Sequence, residues 1–516
     1  MKKINMSPTA LFTQETSLLF PTLLLVFFPL IFLVTKRLKS SFSKSPPLPP
    51  GPSPWPILGN IPHLKNEPLY VTLARFAKNY GSDLISLKLG SQLLVVGSSP
   101  AAAMEILKTH DRNLSARYVP HIIPAKNPEY NNFSLGWTFE CNDSWKNMRS
   151  LCRAELFSVK ALQSQASIRE KKVVEMLEFI SKMEGKVVKI RDIIFASIFN
   201  MMGKILVSKD FLNLELEYRS VDGQGISSFL RELFGLGAIP NISDMYPVLG
   251  PLDLQKLRKK SMDMFRKSCE LWDDIVKERK EMRKSKDASR PQLDFLDALL
   301  ENGCPDFQIN TLLLELFSAG TDSSSTTIEW LMAELIRNPK CMRMLQEEFV
   351  REIGSQEMVM ESDLPKLKYL ECCVKESLRL HPPAPLPIPH RAAETCQVMN
   401  YTIPKDSEVL VNVWAIGRDP NHWEDPLEFT PERFLNSSLD FKGTNFEYLP
   451  FGAGRRICPG QPLASKQVPL IVASLVQSFD WSLPNGEDPK NLDMAEKYDI
   501  NMLKKEPLLV VPKARK

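Results

Sequence analysis

One cysteine in this chain stands in a run of residues that could bind a flat, metal-containing ligand, the segment FGAGRRICPG at positions 451–460. Gly454 and Gly460 allow the backbone to approach such a ligand closely and to adopt positive φ. Phe451 can shield the sulfur of Cys458 from water. A haem iron held by the Cys458 thiolate would use each of these features, and such a ligand favours cleavage of an O–O bond.

The residues next to this cysteine add to that interpretation. Arg456 supplies positive potential that favours a thiolate, and it can also pair with a carboxylate. Because Pro459 has no N–H, hydrogen bonds to the sulfur must come from Gly460 or later amides. A dinucleotide-binding loop does not fit, since Ile457 stands where its third glycine belongs. A buried core cysteine without any ligand remains the alternative.

Small and polar residues interrupt the longest helical pattern, in the segment Ala319-Gly320-Thr321-Asp322-Ser323. Glycine costs about 1 kcal/mol relative to alanine inside a helix, so Gly320 needs a reason. A small residue here would leave room for dioxygen above an iron. Serine hydroxyls can bond back to carbonyls and bend the helix, so a polar kink without a catalytic role is the alternative.

The elements that must position these residues are mostly helical. Periodicity predicts one long helix over 309–337 and another over 366–380, which the prolines after His381 end. Strand-like runs are few, at 84–89, 93–96 and 408–413, with a further short strand at 386–389. No second linker or repeat follows residue 60. We therefore predict a single, mainly α domain with small β-sheets over 61–516.

Composition excludes several classes of protein. Hydrophobic residues make up 43% and charged residues 24% of the 516, which is ordinary globular composition. The net charge of +4 gives no support to binding of nucleic acid. The nine cysteines are scattered, without CxxC or zinc-finger spacing, so we expect reduced thiols and a main body in the cytosol.

The N-terminus predicts a membrane anchor. Residues 18–34 carry no charge, and more basic residues follow than precede them, which places the following chain in the cytosol. We predict an anchor over 1–35 and a basic, proline-rich hinge over 36–60 that acts as a semi-rigid spacer. A cleaved signal peptide and a flexible linker are the alternatives.

The run 451–460 matches the FxxGxRxCxG haem-binding signature of the cytochrome P450 monooxygenases through Phe451, Gly454, Arg456, Cys458 and Gly460. The resemblance covers nearly the whole chain, and the anchor with the PPLPPGP segment at 46–52 resembles the microsomal plant members. It implies one cytochrome P450 fold behind an N-terminal transmembrane anchor, in the endoplasmic reticulum membrane with the catalytic domain in the cytosol.

The resemblance also implies cofactor and partners. The cofactor is haem b, with the Cys458 thiolate as axial ligand of the iron. Because the chain has no flavin or nicotinamide module, electrons must come from NADPH through a separate, membrane-bound cytochrome P450 reductase. Dioxygen is the second substrate.

Three charged residues resemble the family's Glu-Arg-Arg triad. Glu376 and Arg379 stand at i, i+3 on one helix, and Arg433 lies in the PERF segment at 431–434. The resemblance implies a buried network near the haem. A surface ion pair worth at most about 1 kcal/mol is the alternative.

Further residues resemble those that contact the haem propionates. Trp145 and Arg149 form a WxxxR pair one helical turn apart, the tryptophan through its indole N–H and the arginine through its fork. An amphipathic helix that packs on its neighbour is the alternative. His390 or Arg391 is another candidate, and the choice is open because the family often has arginine where His390 stands.

The 319–323 segment resembles the family's A-G-x-D-T sequence, whose acid and alcohol deliver protons to bound oxygen. Asp322 and Ser323, with Gly320 beside them, are therefore the catalytic candidates. Ser323 replaces the usual threonine and lacks the β-branch that stiffens χ1. We expect looser proton delivery and more uncoupling.

The segment 389–404 is closer still to plant family 80 of the cytochromes P450, which oxidises alkaloids. By family position, the substrate pocket is lined by Tyr118, His121, Phe133, Phe317, Ala319, Leu386, Ile388, Ile500 and Met502. An alkaloid is cationic at neutral pH, so Glu129 or Asp499 could pair with its amine, although most such carboxylates are merely solvated.

These features predict a haem-thiolate monooxygenase that oxidises a benzylisoquinoline alkaloid by aromatic hydroxylation or phenol coupling. The alternatives within this class are rearrangement or hydroxylation of the tropane alkaloid littorine, and a terpenoid or phenylpropanoid substrate. Other classes are a haem sensor, a haem-thiolate isomerase that uses no oxygen, and a tethered interaction protein without haem. The haem motifs do not separate the substrates, regiochemistry or stereochemistry.

Overall fold

A computed structural model describes residues 46–64, 67–215, 235–284, 294–354 and 358–515, with positions 229, 232 and 233. The α-helices of at least six residues within these ranges are, in chain order, α1 (Leu69–Tyr80), α2 (Asp143–Cys152), α3 (Val159–Ser164), α4 (Ala166–Ser181), α5 (Ile190–Val207), α6 (Leu257–Lys284), α7 (Phe295–Glu301), α8 (Asp306–Arg337), α9 (Pro339–Glu352), α10 (Lys368–Leu380) and α11 (Gln461–Ser478).

The strands are short and form small sheets. In chain order they are β1 (Leu84–Leu89), β2 (Gln92–Gly97), β3 (Ala116–Arg117), β4 (Val188–Lys189), β5 (His390–Arg391), β6 (Cys396–Val398), β7 (Tyr401–Ile403), β8 (Glu408–Val411), β9 (Phe479–Ser482), β10 (Glu496–Tyr498), β11 (Met502–Lys504) and β12 (Leu509–Ala514). One sheet has the order β1-β2-β8-β5-β3 and another β4-β12-β9, while β6-β7 and β10-β11 form pairs. The predicted mainly α fold with small sheets is confirmed.

The long helix α8 runs through the middle of the helical part. It packs against α5, α6, α10 and α11. Most residues of α8 are buried, and so is nearly all of α5, which explains why α5 is apolar on almost every side. The predicted helix over 309–337 is therefore confirmed, with one extra turn at its N-terminus.

The other predicted elements differ from the structure at their ends. The helix α10 starts at Lys368 because a 3₁₀ turn that contains Pro365 precedes it. The strand β8 ends at Val411 because Asn412 caps a short helix, accepting a bond from the Ala415 N–H at 3.1 Å. The predicted strand at 386–389 is wrong, since its two prolines have no N–H for a sheet ladder.

The described part of the proline-rich segment is attached to the body. The backbone N–H of Ser86 in β1 donates to the Pro50 carbonyl at 2.9 Å, and that of Thr402 in β7 donates to Pro47 at 2.8 Å. A Cβ on Gly51 would lie 1.9 Å from the Ser86 carbonyl oxygen, so the backbones touch. Residues 46–51 are therefore held against β1 and β7, and the role of 36–60 as a spacer stays a prediction.

The predicted anchor, 1–35, lies outside the described residues. Within the ranges that the structure describes, every helix falls short of the length and apolar character that a bilayer crossing requires.

Candidate active site

The loop that carries Cys458 is closed by its own backbone. The Cys458 N–H donates to the Phe451 carbonyl at 3.0 Å, around a 3₁₀ turn at Gly454–Arg456. Gly452 and Gly454 have φ of 69° and 70°. A Cβ on Gly454 would lie 2.1 Å from the Leu107 carbonyl oxygen, so this position requires glycine.

Two properties of the Cys458 side chain indicate a cavity next to its sulfur. The side chain has accessible surface, yet it lies deep among protein atoms, and this burial raises the pKa of its thiol. Hydrogen bonds from the backbone amides of Gly460 and Gln461, and the charge of Arg149, oppose that rise in pKa. The amides that reach the sulfur are thus those predicted to follow Pro459.

The guanidinium of Arg456 is buried and only partly satisfied. Its Nε donates to the Ser115 carbonyl at 3.0 Å and its Nη2 to the Thr138 carbonyl at 2.7 Å. Its Nη1 is buried without a hydrogen-bond partner among the described residues. An orphaned buried donor of this kind indicates that a further acceptor belongs here.

Arg117 is a second buried arginine, and sequence reasoning missed it. It donates to the carbonyls of Gly136 at 3.1 Å and Ile388 at 2.6 Å. Burial and the nearby charge of Arg456 hold the pKa of Arg117 well below its usual range. Arg117 lies at this site because β3 pairs with β5, where Arg117 stands opposite His390.

The two candidates in β5 point to opposite faces, as successive strand residues do. His390 Nδ1 donates to the Leu114 carbonyl at 2.6 Å, and burial with the charge of Arg117 lowers its pKa to about 3. The neutral ring then has only an acceptor left at Nε2. Arg391 pairs instead with Asp406 at 2.6 Å. Arg391 also keeps a buried Nε without a partner among the described residues, so the choice between the two residues as propionate contact stays a prediction.

The WxxxR pair also differs from the prediction in one respect. The Trp145 indole N–H donates to the Leu135 carbonyl at 2.9 Å and is therefore already used. The indole ring instead lies between two guanidinium groups, 5.3 Å from Arg149 and 4.5 Å from Arg456. Arg149 Nη2 reaches the Ile457 carbonyl at 2.5 Å, beside the cysteine.

These residues fit haem b. Arg117, Arg149 and Arg456 form a cationic cluster, and within the described part of the chain none has a carboxylate within ion-pair distance. Burial lowers the pKa of each, so the cluster calls for an anionic ligand. The two propionates of haem b would supply that charge, and the Cys458 thiolate would bind its iron.

One face of α8 also keeps accessible surface, and we infer that it borders this cavity. Ala319 and Ser323 keep accessible surface one turn apart on this largely buried helix. The Ser323 hydroxyl donates to the Ala319 carbonyl at 2.6 Å, as expected for a back-bonded serine. Phe317 does not share this face, because residues two apart on a helix do not face each other. It is fully buried and stacks on Trp272 at 4.8 Å, which corrects its predicted place in the pocket.

Gly320 has a packing reason, while the dioxygen space stays a prediction. A Cβ there would lie 3.0 Å from the Met202 Cε of α5. The Gly320 carbonyl also accepts a bond from the Gln467 amide of α11 at 3.4 Å. The glycine therefore lets three helices approach one another.

Asp322 is held on both carboxylate oxygens. Arg191 Nη2 of α5 lies 2.5 Å from Oδ1, and the Asn501 side-chain amide donates to Oδ2. Sequence reasoning missed both partners, because they come from distant parts of the chain and match no motif.

The remaining predicted pocket residues divide into three groups. Ile388 and Ile500 are 37% and 42% exposed, as pocket residues can be, whereas Leu386 and Met502 are buried in a core cluster with Tyr70. The others are engaged with neighbours.

The engaged residues lie in the segment 118–133. The Tyr118 hydroxyl donates to the Asp244 carbonyl at 3.2 Å, and His121 Nδ1 lies 2.9 Å from an Asp244 carboxylate oxygen. Phe133 packs edge-on against Phe307 at 5.6 Å. Their pocket roles remain predictions.

The structure brings the three members of the triad together. Arg379 donates to both oxygens of Glu376 at 2.7 and 2.8 Å, and Arg433 Nε donates to one of them at 3.0 Å. Glu376 is fully buried, and carbonyls in 417–428 take the other Arg379 donors. The geometry is that of a buried network and not of a surface ion pair.

Comparisons with known proteins agree with this geometry. The model of the cytochrome P450 family matches residues 49–511. The (S)-N-methylcoclaurine 3'-hydroxylase isozyme 1 of Papaver somniferum is 47% identical over 484 residues, which are 93% of this chain and 98% of that protein. Corytuberine synthase of Coptis japonica is 46% identical over 490 residues, 94% of this chain and 98% of that protein. Berbamunine synthase of Berberis stolonifera is 40% identical over 479 residues, with 91% and 94% covered.

Proposed function

Because the chain belongs to the cytochrome P450 family and is a haem b monooxygenase with a cysteine thiolate ligand, we propose that it oxidises a benzylisoquinoline alkaloid. The reaction is aromatic hydroxylation or oxidative phenol coupling. One observation carries the proposal: nearly full-length similarity, at 46–47% identity, to proteins named for N-methylcoclaurine 3'-hydroxylation and corytuberine synthesis.

The residues around Cys458 bind and orient the haem, which activates dioxygen when it is held by a thiolate. The amides of Gly460 and Gln461 steady the sulfur. The cluster of Arg117, Arg149 and Arg456 would neutralise the propionates and so hold the haem in place.

Asp322 and Ser323 move protons on the opposite side of the cavity. The Ser323 hydroxyl has accessible surface and donates a single hydrogen bond, to the Ala319 carbonyl, so it can rotate and pass its proton onward. Asp322 receives protons at its carboxylate oxygens when Arg191 or Asn501 releases one of them. The apolar side chains of Ala319, Ile388 and Ile500 exclude water around the substrate.

The two carboxylates expected to meet the amine are poorly placed for it. Glu129 is exposed at the start of a short helix. Asp499 accepts the N–H of its neighbour Ile500 at 2.9 Å within a turn. The substrate is therefore selected chiefly by the shape and apolarity of the cavity.

Attachment to the endoplasmic reticulum membrane is part of the proposal, through residues 1–35. An exposed apolar surface supports it, formed by Trp55, Ile57, Val248, Leu252 and Leu254, which are 57–85% exposed. The Tyr246 hydroxyl ties its two segments together by donating to the Ile57 carbonyl at 3.2 Å. Apolar area of this extent favours contact with lipid.

A cytochrome P450 reductase that carries electrons from NADPH is the proposed redox partner. The match to the cytochrome P450 family supports a separate redox partner, because members of this family take their electrons from one.

The test is turnover by microsomes that contain this protein and a plant reductase, with N-methylcoclaurine, reticuline and littorine as substrates and detection by mass. We expect conversion of a benzylisoquinoline, with a gain of oxygen for hydroxylation or a loss of two hydrogens for coupling. A Cys458→Ala variant is the control and should convert nothing. Conversion of littorine alone, or of no alkaloid by protein with an intact thiolate-type ferrous–CO spectrum, would overturn the substrate class.

A further inference from the structure

The loop Ser134–Thr138 contacts most of the residues that we place against the haem propionates. Its peptide carbonyls accept three hydrogen bonds: Leu135 from the Trp145 indole at 2.9 Å, Gly136 from Arg117 at 3.1 Å and Thr138 from Arg456 at 2.7 Å. The loop has no regular secondary structure of its own. Its position must therefore be fixed by other contacts.

Those contacts come from one carboxylate of α8, Glu315. One oxygen accepts the Leu135 N–H at 2.7 Å and the Gly136 N–H at 3.3 Å. The other accepts the Ser134 hydroxyl, whose oxygen in turn accepts the Trp137 N–H at 2.7 Å. Glu315 therefore binds the N–H groups of Leu135 and Gly136. The carbonyls of the same two residues accept from the Trp145 indole and from Arg117.

Glu315 is unusual among the buried carboxylates of α8. It makes no ion pair within the described residues, whereas Glu329 approaches Arg191 and Glu334 meets His381. Burial raises its pKa, and the three loop donors oppose that rise. Within the described residues, the hydrogen bonds of the Glu315 carboxylate are therefore all made with the loop. Glu315 also lies one helical turn before Ala319, on the face of α8 that lines the cavity.

We propose that Glu315 is a positioning residue of the haem site: through the loop Ser134–Thr138 it fixes Arg117 and Arg456 against the propionates, and with them the Trp145 ring on which Arg456 packs. The wall of the substrate cavity and the electrostatic surroundings of the haem are then linked by a single carboxylate. A displacement of α8 by a bound substrate moves the loop and, with it, the cationic cluster. The inference rests on the proposed placing of the propionates against these arginines.

The mechanism has a stated direction. Positive charges near a haem favour its reduced form, because reduction lowers the net positive charge of the site. Release of the loop lets the guanidinium groups move away from the propionates. Haem is then held less tightly and its reduction potential shifts to more negative values.

The experiment compares Glu315→Gln and Glu315→Ala with a matched control, Glu334→Gln, in full-length holoprotein. Glu334 is a buried carboxylate of the same helix whose partners, His381 and Asn338, lie apart from the loop. The readouts are the rate of haem transfer to added apomyoglobin, the ferric–ferrous reduction potential, and amide hydrogen exchange of residues 134–138. None of them uses an alkaloid, so failure of the proposed substrate class leaves them unaffected.

We expect roughly tenfold faster haem loss in Glu315→Ala, a more negative potential and faster exchange at Leu135 and Gly136. Glu315→Gln retains one acceptor oxygen, so its changes are in the same direction and smaller. It also serves if the alanine variant does not fold. Wild-type haem loss and potential in Glu315→Gln, or equal changes in Glu334→Gln, would overturn the proposal.

An Arg456→Gln variant tests the proposed propionate site separately from the positioning role of Glu315. If it loses haem faster but the Glu315 variants do not, the propionate site stands and the positioning role is wrong. If Arg456→Gln retains haem normally, the proposed propionate site is wrong, and the inference on Glu315 is overturned with it.

Discussion

Arg191 and Asp322 form an ion pair that joins α5 to α8, with Nη2 of the arginine 2.5 Å from Oδ1 of the aspartate. The Asn501 amide holds the other oxygen. Because both oxygens accept a hydrogen bond, the carboxylate has a fixed orientation. The pair therefore positions the group that we propose as the proton donor.

Asp322→Asn should lower product formation roughly a hundredfold, because a positioned acid or base contributes about that much or more. The amide preserves the size of the side chain and can still bond to Asn501, so haem content should not change. The measurement is product formed per haem with saturating reductase. Unchanged turnover would contradict the assigned role.

Ser323→Thr should raise the yield of product per NADPH consumed. The added methyl group stiffens χ1 and holds the hydroxyl in one orientation toward the cavity. Ser318→Thr is the control, because that hydroxyl is also back-bonded, to the Leu314 carbonyl at 2.5 Å, one turn or more before the site. Equal coupling in wild type and Ser323→Thr would argue against this explanation.

Glu376→Ala should destabilise the protein by about 3–5 kcal/mol and yield little haem-loaded protein. The substitution leaves buried Arg379 and Arg433 without their shared counter-charge. Glu371→Ala removes a carboxylate of the same helix that is half exposed and pairs with Lys375, and should cost about 1 kcal/mol or less. Haem content and the denaturant midpoint check both, and normal haem loading of Glu376→Ala would disprove the triad.

Gly454→Ala should cost about 3 kcal/mol or more, and Gly452→Ala about 1–2 kcal/mol. Both glycines have nearly the same positive φ, so both substitutions impose the same backbone strain. Only the Cβ at 454 meets a backbone oxygen, since that at 452 has nothing within 4 Å. Thermal midpoints measured side by side separate steric overlap from conformational strain, and equal losses would contradict the geometry.

Glu408→Gln should become progressively more stable than wild type as pH rises from about 5 to 8. Burial, with the charge of Asp244, raises the pKa of Glu408 to about 8, and Tyr118 and Tyr498 also lie beside it. A carboxyl whose folded pKa is raised contributes stability that is lost as pH rises through that value, here on the order of a few kcal/mol. Glutamine does not ionise and avoids the loss.

The control for this prediction is Glu394→Gln, which removes an exposed carboxylate. Its thermal midpoint relative to wild type should not change with pH. If the difference in thermal midpoint between Glu408→Gln and wild type stayed constant over the same pH range, it would contradict the raised pKa of Glu408.

Sequence predicted the parts of the site that are local. The Cys458 loop and the Glu376–Arg379 pair depend on residues within one turn or one helix, where spacing fixes geometry. The long helix α8 followed from periodicity for the same reason.

Contacts between distant segments were not predictable. Arg117 reaches the site through the register of β3 with β5, and Gly320 is small because Met202 of α5 packs on it. The Trp145 indole N–H is taken by a carbonyl in an irregular loop. In each case the partner is chosen by tertiary packing, which leaves no periodic trace in the chain.

Because residues 46–51 are attached to β1 and β7, they fix the point at which the N-terminal tether joins the body. If 1–35 lie in the membrane, residues 36–45 connect the membrane to that fixed point, and at about 3.6 Å per residue they reach at most roughly 36 Å. The body then stays in a thin layer beside the bilayer, where it meets a second membrane-bound protein by two-dimensional diffusion. For so short a tether the effective concentration of that protein is on the order of millimolar. Lengthening 36–45 with glycine and serine should lower this effective concentration without altering the site.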